Sequence, residues 1–243
     1  MPSTSDLAQL RHANVSGRIP VVLVHGAWLL PSSWERWADV FEEAGFAPIL
    51  PAWPADEAAD HFAGLIGALE RRPAVVGHGA GGLLTQIIAG RGLACAAVAI
   101  SPSPFPPVLP PPRSPARGSG TVPLTYERFH HAFANAVGEE EARRLYETFV
   151  VPALQAPATD FGPWSEYDAT AKDRGPLLLI SGELDRIVPW AAAHASYERQ
   201  AHNEQHLTEI IELPGRSHSL TVDSGWREVC GTALTFIQRF VEP

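Results

Sequence analysis

The stretch Ala74-Val75-Val76-Gly77-His78-Gly79-Ala80-Gly81-Gly82-Leu83-Leu84 decides how the rest of the chain is interpreted. Its first residues are apolar and mostly β-branched, which is typical of a short buried strand. The glycines that follow allow a tight turn, because glycine adopts backbone angles that other residues avoid. From Leu83 onward, apolar residues recur at helical spacing, which predicts a helix over residues 80–90. The stretch therefore predicts a strand, a glycine turn and a helix in immediate succession.

Length, composition and charge suit a globular protein with one large domain. The chain has 243 residues, of which 45% are hydrophobic, enough for a sizeable core. Its net charge of -9 gives no basic face for nucleic acid or an anionic membrane. The first residues lack a signal-peptide pattern, and no apolar run reaches the ~18 residues of a membrane span. We therefore expect a cytoplasmic protein with no nucleic-acid or membrane partner, in which Cys95 and Cys230 are reduced.

Strand and helix patterns alternate along most of the chain, which is typical of an α/β fold with a mainly parallel sheet. Apolar runs predict six strands, at residues 19–24, 46–50, 74–76, 94–100, 176–181 and 207–213. Helices are expected at residues 32–44, 56–71, 80–90, 189–201 and 223–240. Ser32 and Glu35 have the spacing of a capping box for the first of these. Residues 1–18 carry no pattern and are predicted to be a tail or a leading loop.

The alternation stops at residue 101 and resumes only after residue 170. Residues 101–123 are dense in proline, which excludes a helix or a central strand there. Two short amphipathic helices are expected next, around residues 125–137 and 139–150. An insertion of this length is typical of a cap over the strand ends, although a surface excursion without a role is the alternative. We predict a single domain over residues 19–243 with this insertion at about 101–170.

Four loops follow predicted strands and should meet at one edge of the sheet, where open α/β sheets bind their ligands. The first is His25-Gly26-Ala27-Trp28, and the second is the glycine turn around Gly79. The third contains Asp185 and the fourth contains His218. Asp185 is suited to accept a hydrogen bond from an imidazole, which would leave His218 free to act as a general base. Backbone amides of the first two loops are suited to bind a developing oxyanion.

This order of loops resembles the α/β-hydrolase superfamily, in which a G-x-S-x-G elbow, an acid and a histidine follow one another along the chain. The resemblance extends from about residue 19 to the C-terminus and is nearest to small esterases, haloperoxidase-like enzymes and hydroxynitrile lyases. It implies an α/β-hydrolase fold with a sheet of about six strands, flanking helices and a cap. It also implies Asp185 as the acid, His218 as the base, and an oxyanion hole at Ala80 with Ala27 or Trp28. The pattern of this chain lacks the first two strands of the family.

The departure from the family is at the nucleophile position, where this chain has Gly79. Glycine has no side chain, so a covalent intermediate cannot form at this residue. One interpretation is an enzyme that uses the His218–Asp185 pair for non-covalent chemistry, such as water activation or a lyase, cyclase or carbon–carbon cleavage step. A second is a serine hydrolase for esters, amides or lactones, inactivated by an engineered serine-to-glycine replacement. A third is a binding protein that has kept the pocket without the reaction.

The remaining residues limit the range of possible substrates only in part. A pocket that is largely apolar is expected to take a small carbonyl-containing molecule, and its predicted lining residues are Trp28, His78, Phe105, Phe129 and Phe133. His25 and His78 are expected mainly to pack or hydrogen-bond around the glycine turn. His202 and His206 have a spacing found in metal sites, but they lie in a polar connection. We therefore expect no metal and no cofactor, while the oligomeric state stays open.

Overall fold

The fold is a six-stranded parallel sheet with helices on both faces, as the sequence predicts. The computed structural model describes residues 3–54, 58–105, 124–150 and 171–243. The strands are β1 (Pro20–Val24), β2 (Ala47–Ile49), β3 (Ala74–His78), β4 (Ala96–Ile100), β5 (Leu177–Gly182) and β6 (Thr208–Leu213). They lie in the order β2-β1-β3-β4-β5-β6, and every neighbouring pair is parallel. Each strand falls within one or two residues of its predicted range.

The strand order creates a crevice between β1 and β3. From β1 the chain first moves outward to β2, then returns to add β3 on the opposite side of β1. Loops leaving β1 and β3 must therefore diverge to opposite faces of the sheet, which opens a crevice at the carboxyl ends of both strands. Val24 of β1 is paired with Gly77 of β3, so the two strands end at nearly the same level.

Two hydrophobic layers hold the helices on the sheet. The helices are α1 (Thr4–Ser16), α2 (Glu35–Glu43), α3 (Ala58–Gly67), α4 (Ala80–Gly90), α5 (Tyr126–Arg128), α6 (Glu139–Phe149), α7 (Trp190–Ala201) and α8 (Trp226–Gln238). On one face, α1, α3, α4 and α7 cover residues such as Val22 and Val75. On the other face, α2 and α8 cover their neighbours Val21 and Val76. This alternation follows from the two-residue period of a strand and explains the continuously apolar runs.

The N-terminal prediction was wrong, because residues 4–16 form a helix rather than a tail or loop. Ser3 and Asp6 cap this helix reciprocally, each side chain accepting a hydrogen bond from the other's backbone amide. Leu10 and Ala13 are buried in the layer that covers β2. Only these two apolar side chains and the capping Asp6 are buried, so the segment shows no clear apolar stripe in the sequence.

The predicted capping box of Ser32 and Glu35 was also wrong. Pro31–Trp34 form a 3-10 turn that runs directly into α2, and no side chain caps α2 at its start. Proline at the first position of the turn favours this geometry, because its backbone angle is already suitable for a helix. The nearby serine that makes a local bond is Ser33, whose hydroxyl donates to the carbonyl of Leu30.

The described part of the predicted insertion, residues 124–150, packs as a small unit with its own apolar cluster. α5 continues into a π-helical turn, Phe129–Phe133, instead of the single helix expected over residues 125–137. Leu29, just after the first loop, pairs with Val150 in an antiparallel bridge. Asn135 donates from its side chain to the carbonyl of Leu184, beside the Asp185 loop. Residues 106–123 and 151–170, with most of the proline-rich stretch, lie outside the described residues.

Two smaller expectations concern the cysteines and membrane spans. Cys95 and Cys230 are free cysteines, as expected. None of the helices that the structure describes has the length and apolar character that crossing a bilayer requires.

Candidate functional site

The glycine turn after β3 brings the start of α4 unusually close to the end of β1. A Cβ on Gly81 would lie 2.2 Å from the carbonyl oxygen of Val24, and one on Gly77 would lie 2.2 Å from the carbonyl oxygen of Gly81. Neither position has room for a side chain, so glycine is required at both. The close packing seats the first turn of α4 at the crevice between β1 and β3.

Gly79 stands at the tip of this turn in a conformation that residues with a Cβ rarely adopt. Its backbone angles are φ 56° and ψ -117°, which is strained for any residue other than glycine. The turn is fixed on both sides: the amide of Gly79 donates to the carbonyl of Ile100, and its carbonyl accepts from the amides of Leu83 and Ser103. These three hydrogen bonds fix the conformation of the tip.

Asp185 and His218 form a buried pair next to this tip. The Nδ1 atom of His218 lies 2.8 Å from Oδ2 of Asp185, and the two residues are 3% and 5% exposed. Because an ionised carboxylate can only accept, the neutral form of this imidazole has its proton on Nδ1 and its lone pair on Nε2. A Cβ built on Gly79 would have Nε2 of His218 as its nearest atom, at 3.4 Å. The basic nitrogen of His218 therefore faces the side-chain position of residue 79.

The carboxylate of Asp185 is anchored on both oxygens. Oδ1 accepts from the backbone amides of Ile187 and Val188, each at 2.8 Å, and Oδ2 accepts from His218. Burial by itself would raise the pKa of the Asp185 carboxyl, but the charge and hydrogen bond of His218 outweigh it and lower this pKa. Asp185 is therefore ionised at neutral pH and oriented toward the imidazole.

The loop that carries His218 is braced by a second buried carboxylate. Asp223 pairs with Arg216 at 2.7 Å and accepts a hydrogen bond from the hydroxyl of Ser219. The carbonyl of Thr221 also accepts from the indole nitrogen of Trp37 on α2. These contacts fix the short 3-10 turn, His218–Thr221, on which the imidazole stands.

His78 connects the glycine turn to the His218 loop from behind. Its Nε2 donates to the carbonyl of His218 at 3.0 Å, and the two rings are 4.5 Å apart. Its Nδ1 is buried next to Gly26 and has no hydrogen-bond partner among the residues that the structure describes. Desolvation and the neighbouring His218 hold the pKa of His78 well below its usual value. His78 is neutral and joins the two loops by a backbone contact.

His25 plays a comparable part in the first loop. Its Nδ1 donates to the carbonyl of Gly26 at 2.9 Å, and its own carbonyl accepts from the indole nitrogen of Trp53. Burial lowers the pKa of His25 to about 4. The Cα of Gly26 lies 3.9 Å from the Cβ position of residue 79, so this loop forms the wall opposite His218.

Three backbone amides near Gly79 donate no hydrogen bond to any described residue. They belong to Ala80, the first residue of α4, and to Ala27 and Trp28 of the first loop. The first amides of a helix have no partner within the helix and carry its positive dipole end. The loops after β1 and β3 therefore each have backbone amides without a partner among the described residues.

The predicted aromatic lining is placed in two separate regions. The ring of Phe133 meets the ring of His218 edge-on at 4.8 Å, and Phe129 stacks on Phe133. Trp28 packs on the same cluster. Phe105 is instead buried among the core residues beside α4, under the guanidinium of Arg199. Among the predicted lining residues, the rings of Phe133 and His78 contact the ring of His218.

Ser101 is a residue that sequence reasoning missed. It follows β4, is fully buried, and has a positive φ of 40°, which is unusual for a residue with a Cβ. Its hydroxyl contributes to the lowered pKa of the Asp185 carboxyl, although it makes no well-aligned hydrogen bond. Nothing in the local pattern distinguishes this serine, since its strain depends on strands that are distant in the sequence.

The other histidines singled out in the sequence lie elsewhere. The ring nitrogens of His202 and His206 donate to the carbonyls of Glu198 and Lys172. On the insertion, His130 stacks on Tyr126, and the carbonyl of His131 accepts from Arg186. Within the described ranges, no group of three or more His, Cys, Asp or Glu side chains is arranged to hold a metal ion.

Comparisons with known proteins agree with this architecture. The family model described as "Alpha/beta hydrolase family" matches residues 21–232. Among solved structures, a monoacylglycerol lipase from Paleococcus ferrophilus is 19% identical, with a TM-score of 0.63 over 91% of this chain and 95% of its own. A methylesterase from Arabidopsis is 17% identical, with a TM-score of 0.65 over 91% and 99% of the two chains. An esterase from Thermogutta terrifontis is 17% identical, with a TM-score of 0.65 over 91% and 90%. A sequence search of curated proteins finds no match.

Proposed function

The chain belongs to the α/β hydrolase family, and from that premise we propose that it is an enzyme that works without a covalent nucleophile. In this proposal His218 and Asp185 transfer protons, and the amides of Ala80 with Ala27 or Trp28 bind the oxygen of a small, largely apolar carbonyl compound. One observation carries the proposal: Nδ1 of His218 is fixed at 2.8 Å from Asp185, while Nε2 faces the side-chain position of Gly79.

The buried pair has the properties of a general base. The carboxylate of Asp185 fixes the tautomer of the imidazole, so the lone pair on Nε2 is directed toward the crevice. Once Nε2 has accepted a proton, the same carboxylate stabilises the imidazolium at short range. A positioned general base contributes about 10²–10⁴-fold to a rate.

Gly79 determines which reactions this base can serve. A residue without a side chain leaves no group to acylate, so the proton must come from water or from the substrate itself. The amides near Gly79 supply the second element, since each oxyanion donor contributes about 10²–10³-fold. Together they suit substrates that are already reactive, for which proton transfer and charge stabilisation are sufficient.

The surroundings favour an apolar substrate. Phe133 covers one edge of His218, and Phe129 and Trp28 extend the same apolar cluster. Apolar walls exclude water from the charged pair and thereby strengthen its interaction with a developing oxyanion. His78 donates to a backbone carbonyl and supports the site from behind.

Two simple probes test this proposal with one variant and one control. Phenyl acetate reports water activation through its hydrolysis, and phenylacetone in D₂O reports proton abstraction through deuterium incorporation measured by NMR. We expect the protein to accelerate at least one reaction about 10²-fold or more over buffer, and His218→Gln to abolish the effect. His12→Gln, which changes an exposed histidine on α1, should leave it unchanged. If neither probe reacts, or if His218→Gln retains the rate, the proposal is wrong.

A further inference from the structure

We propose, on the basis of the proposed function, that the substrate supplies its own hydroxyl at the place where a serine hydroxyl would stand. The substrate class is then a hydroxy ester, and the reaction is an internal acyl transfer that forms a lactone and releases an alcohol. The starting observation is the position of the Gly79 Cβ, whose three nearest atoms are Nε2 and Cε1 of His218 and the Cα of Gly26.

The groups around this position favour a nucleophile that the substrate itself holds in place. Beyond Gly79 and its two chain neighbours, the atoms nearest to the Cβ position are one basic nitrogen, Nε2 of His218, and two carbons. An ordered water in a protein usually makes about two to four hydrogen bonds, and in this proposal the nearby backbone amides bind the carbonyl oxygen of the substrate. Phe133 adds an apolar edge beside the imidazole. A hydroxyl that is part of the substrate depends less on such hydrogen bonds, because the rest of the substrate holds it in place.

Tethering also has a large kinetic advantage. A well-oriented internal nucleophile reaches an effective concentration of about 10⁵–10⁸ M, far above that of water. The geometry matches that of a serine attack, with the hydroxyl beside Nε2 and the carbonyl oxygen at the amides of Ala80 and the first loop. The turn at Gly79 places the side-chain position of this residue beside Nε2 of His218 and the Cα of Gly26.

The step balances without any further reagent. Nε2 of His218 accepts the proton of the substrate hydroxyl while its oxygen forms a bond to the ester carbon. The carbonyl electron pair moves onto the oxygen held by the backbone amides, and then returns as the bond to the leaving alkoxide breaks. The alkoxide takes the proton back from Nε2. The products are a lactone and an alcohol, and His218 is regenerated.

The test compares two esters that differ only in the hydroxyl. The first is ethyl 5-hydroxy-5-phenylpentanoate, and its matched control is ethyl 5-methoxy-5-phenylpentanoate, which cannot cyclise. We expect the full-length protein to convert the hydroxy ester to 6-phenyl-δ-valerolactone at least tenfold faster than it hydrolyses the methoxy ester. His218→Gln should reduce lactone formation to the rate in buffer, while His12→Gln should not. Initial product analysis in H₂¹⁸O should show a lactone that contains no ¹⁸O.

The negative outcomes of this test distinguish failure of the tethered-hydroxyl proposal from failure of the proposed function. If both esters are hydrolysed at similar rates in a His218-dependent way, with ¹⁸O in the acid product, water is the nucleophile. That result overturns the tethered-hydroxyl proposal and leaves the proposed acid–base function standing. If neither ester reacts, the tethered-hydroxyl proposal is also overturned, and the phenyl acetate and phenylacetone probes then decide the proposed function.

Discussion

Gly79 stands at the position that our proposal assigns to the nucleophile of the family, and its backbone has the strained conformation expected of a residue at the tip of an elbow. The angles of φ 56° and ψ -117° are maintained by hydrogen bonds to Ile100, Leu83 and Ser103, none of which involves a side chain at residue 79. Replacing glycine with serine therefore adds a hydroxyl without requiring a new loop. The nearest atom to the added Cβ would be the basic nitrogen of His218.

We expect Gly79→Ser to make the protein react covalently with a fluorophosphonate probe, detected by mass spectrometry. The wild type should not be labelled at this site, and Gly79→Ser/His218→Gln should be labelled about 10²-fold more slowly or not at all. The added Cβ should cost about 1–3 kcal/mol of unfolding free energy, because the conformation is strained for serine. A folded Gly79→Ser protein that resists the probe would show that the surrounding groups are not aligned for nucleophilic attack.

Single residues also mark the limit of what the sequence could predict. The proximity of Asp185 and His218 was predictable because each follows a predicted strand, and strand ends converge at one edge of a parallel sheet. The positive φ of Ser101 was not predictable, since its amide donates to the carbonyl of Ile180, a residue of β5 that is distant in the sequence. Phe105 was assigned to the pocket by its place in the insertion, whereas it is buried beside α4.

At the scale of elements, the approach of α4 to β1 is the contact that organises the site. Gly81 lies against the carbonyls of Val24 and His25, and this contact determines how closely the first turn of α4 approaches the end of β1. By contrast, Gly64 on α3 has no atom within 4 Å of its Cβ position. Two glycines in helices therefore have opposite roles, one required by packing and one tolerated.

Replacing these two glycines with alanine should produce opposite changes in stability. Gly81→Ala should lower the free energy of unfolding by about 1–3 kcal/mol or more, because its Cβ would overlap backbone atoms. Gly64→Ala should raise it by about 0.5–1 kcal/mol, because alanine favours a helix more than glycine does. Urea denaturation of both variants measures the difference. Equal changes would contradict the packing requirement at residue 81.

The elements also differ in how well the sequence predicts them. The six strands were predictable from continuous apolar runs, because both faces of this sheet are covered by helices. The first helix was not, as only three of its side chains are buried. The capping box at the start of α2 was predicted wrongly, because Pro31 begins a 3-10 turn before Ser32, the expected cap.

At the scale of the whole molecule, two buried neutral histidines make stability depend on pH. The pKa of His25 is lowered to about 4 by burial, and that of His78 is also lowered. In the unfolded chain both rings bind a proton near their ordinary pKa of about 6.5. Between these values the unfolded state binds more protons than the native state, so acid favours unfolding.

We expect the free energy of unfolding to fall as the pH is lowered from about 6.5 to 4. His25 alone accounts for about 3 kcal/mol of this loss, at about 1.4 kcal/mol for each unit of pKa difference. The buried Asp223, whose pKa is raised by desolvation, acts in the opposite direction. Urea titrations at several pH values isolate the histidine effect, because His25→Asn should flatten the dependence relative to wild type and His12→Gln should not. A variant with the wild-type slope would contradict this origin.

The conformation of Gly79 also has a genetic consequence. Glycine and serine codons can differ by a single base, so a point mutation is enough to exchange the two residues at this position. In most turns such a change would need compensating substitutions to reshape the backbone, but here the hydrogen bonds of the turn already impose the required angles. Under the proposed function, a single Gly79→Ser mutation would therefore be enough to introduce a covalent mechanism without rebuilding the fold.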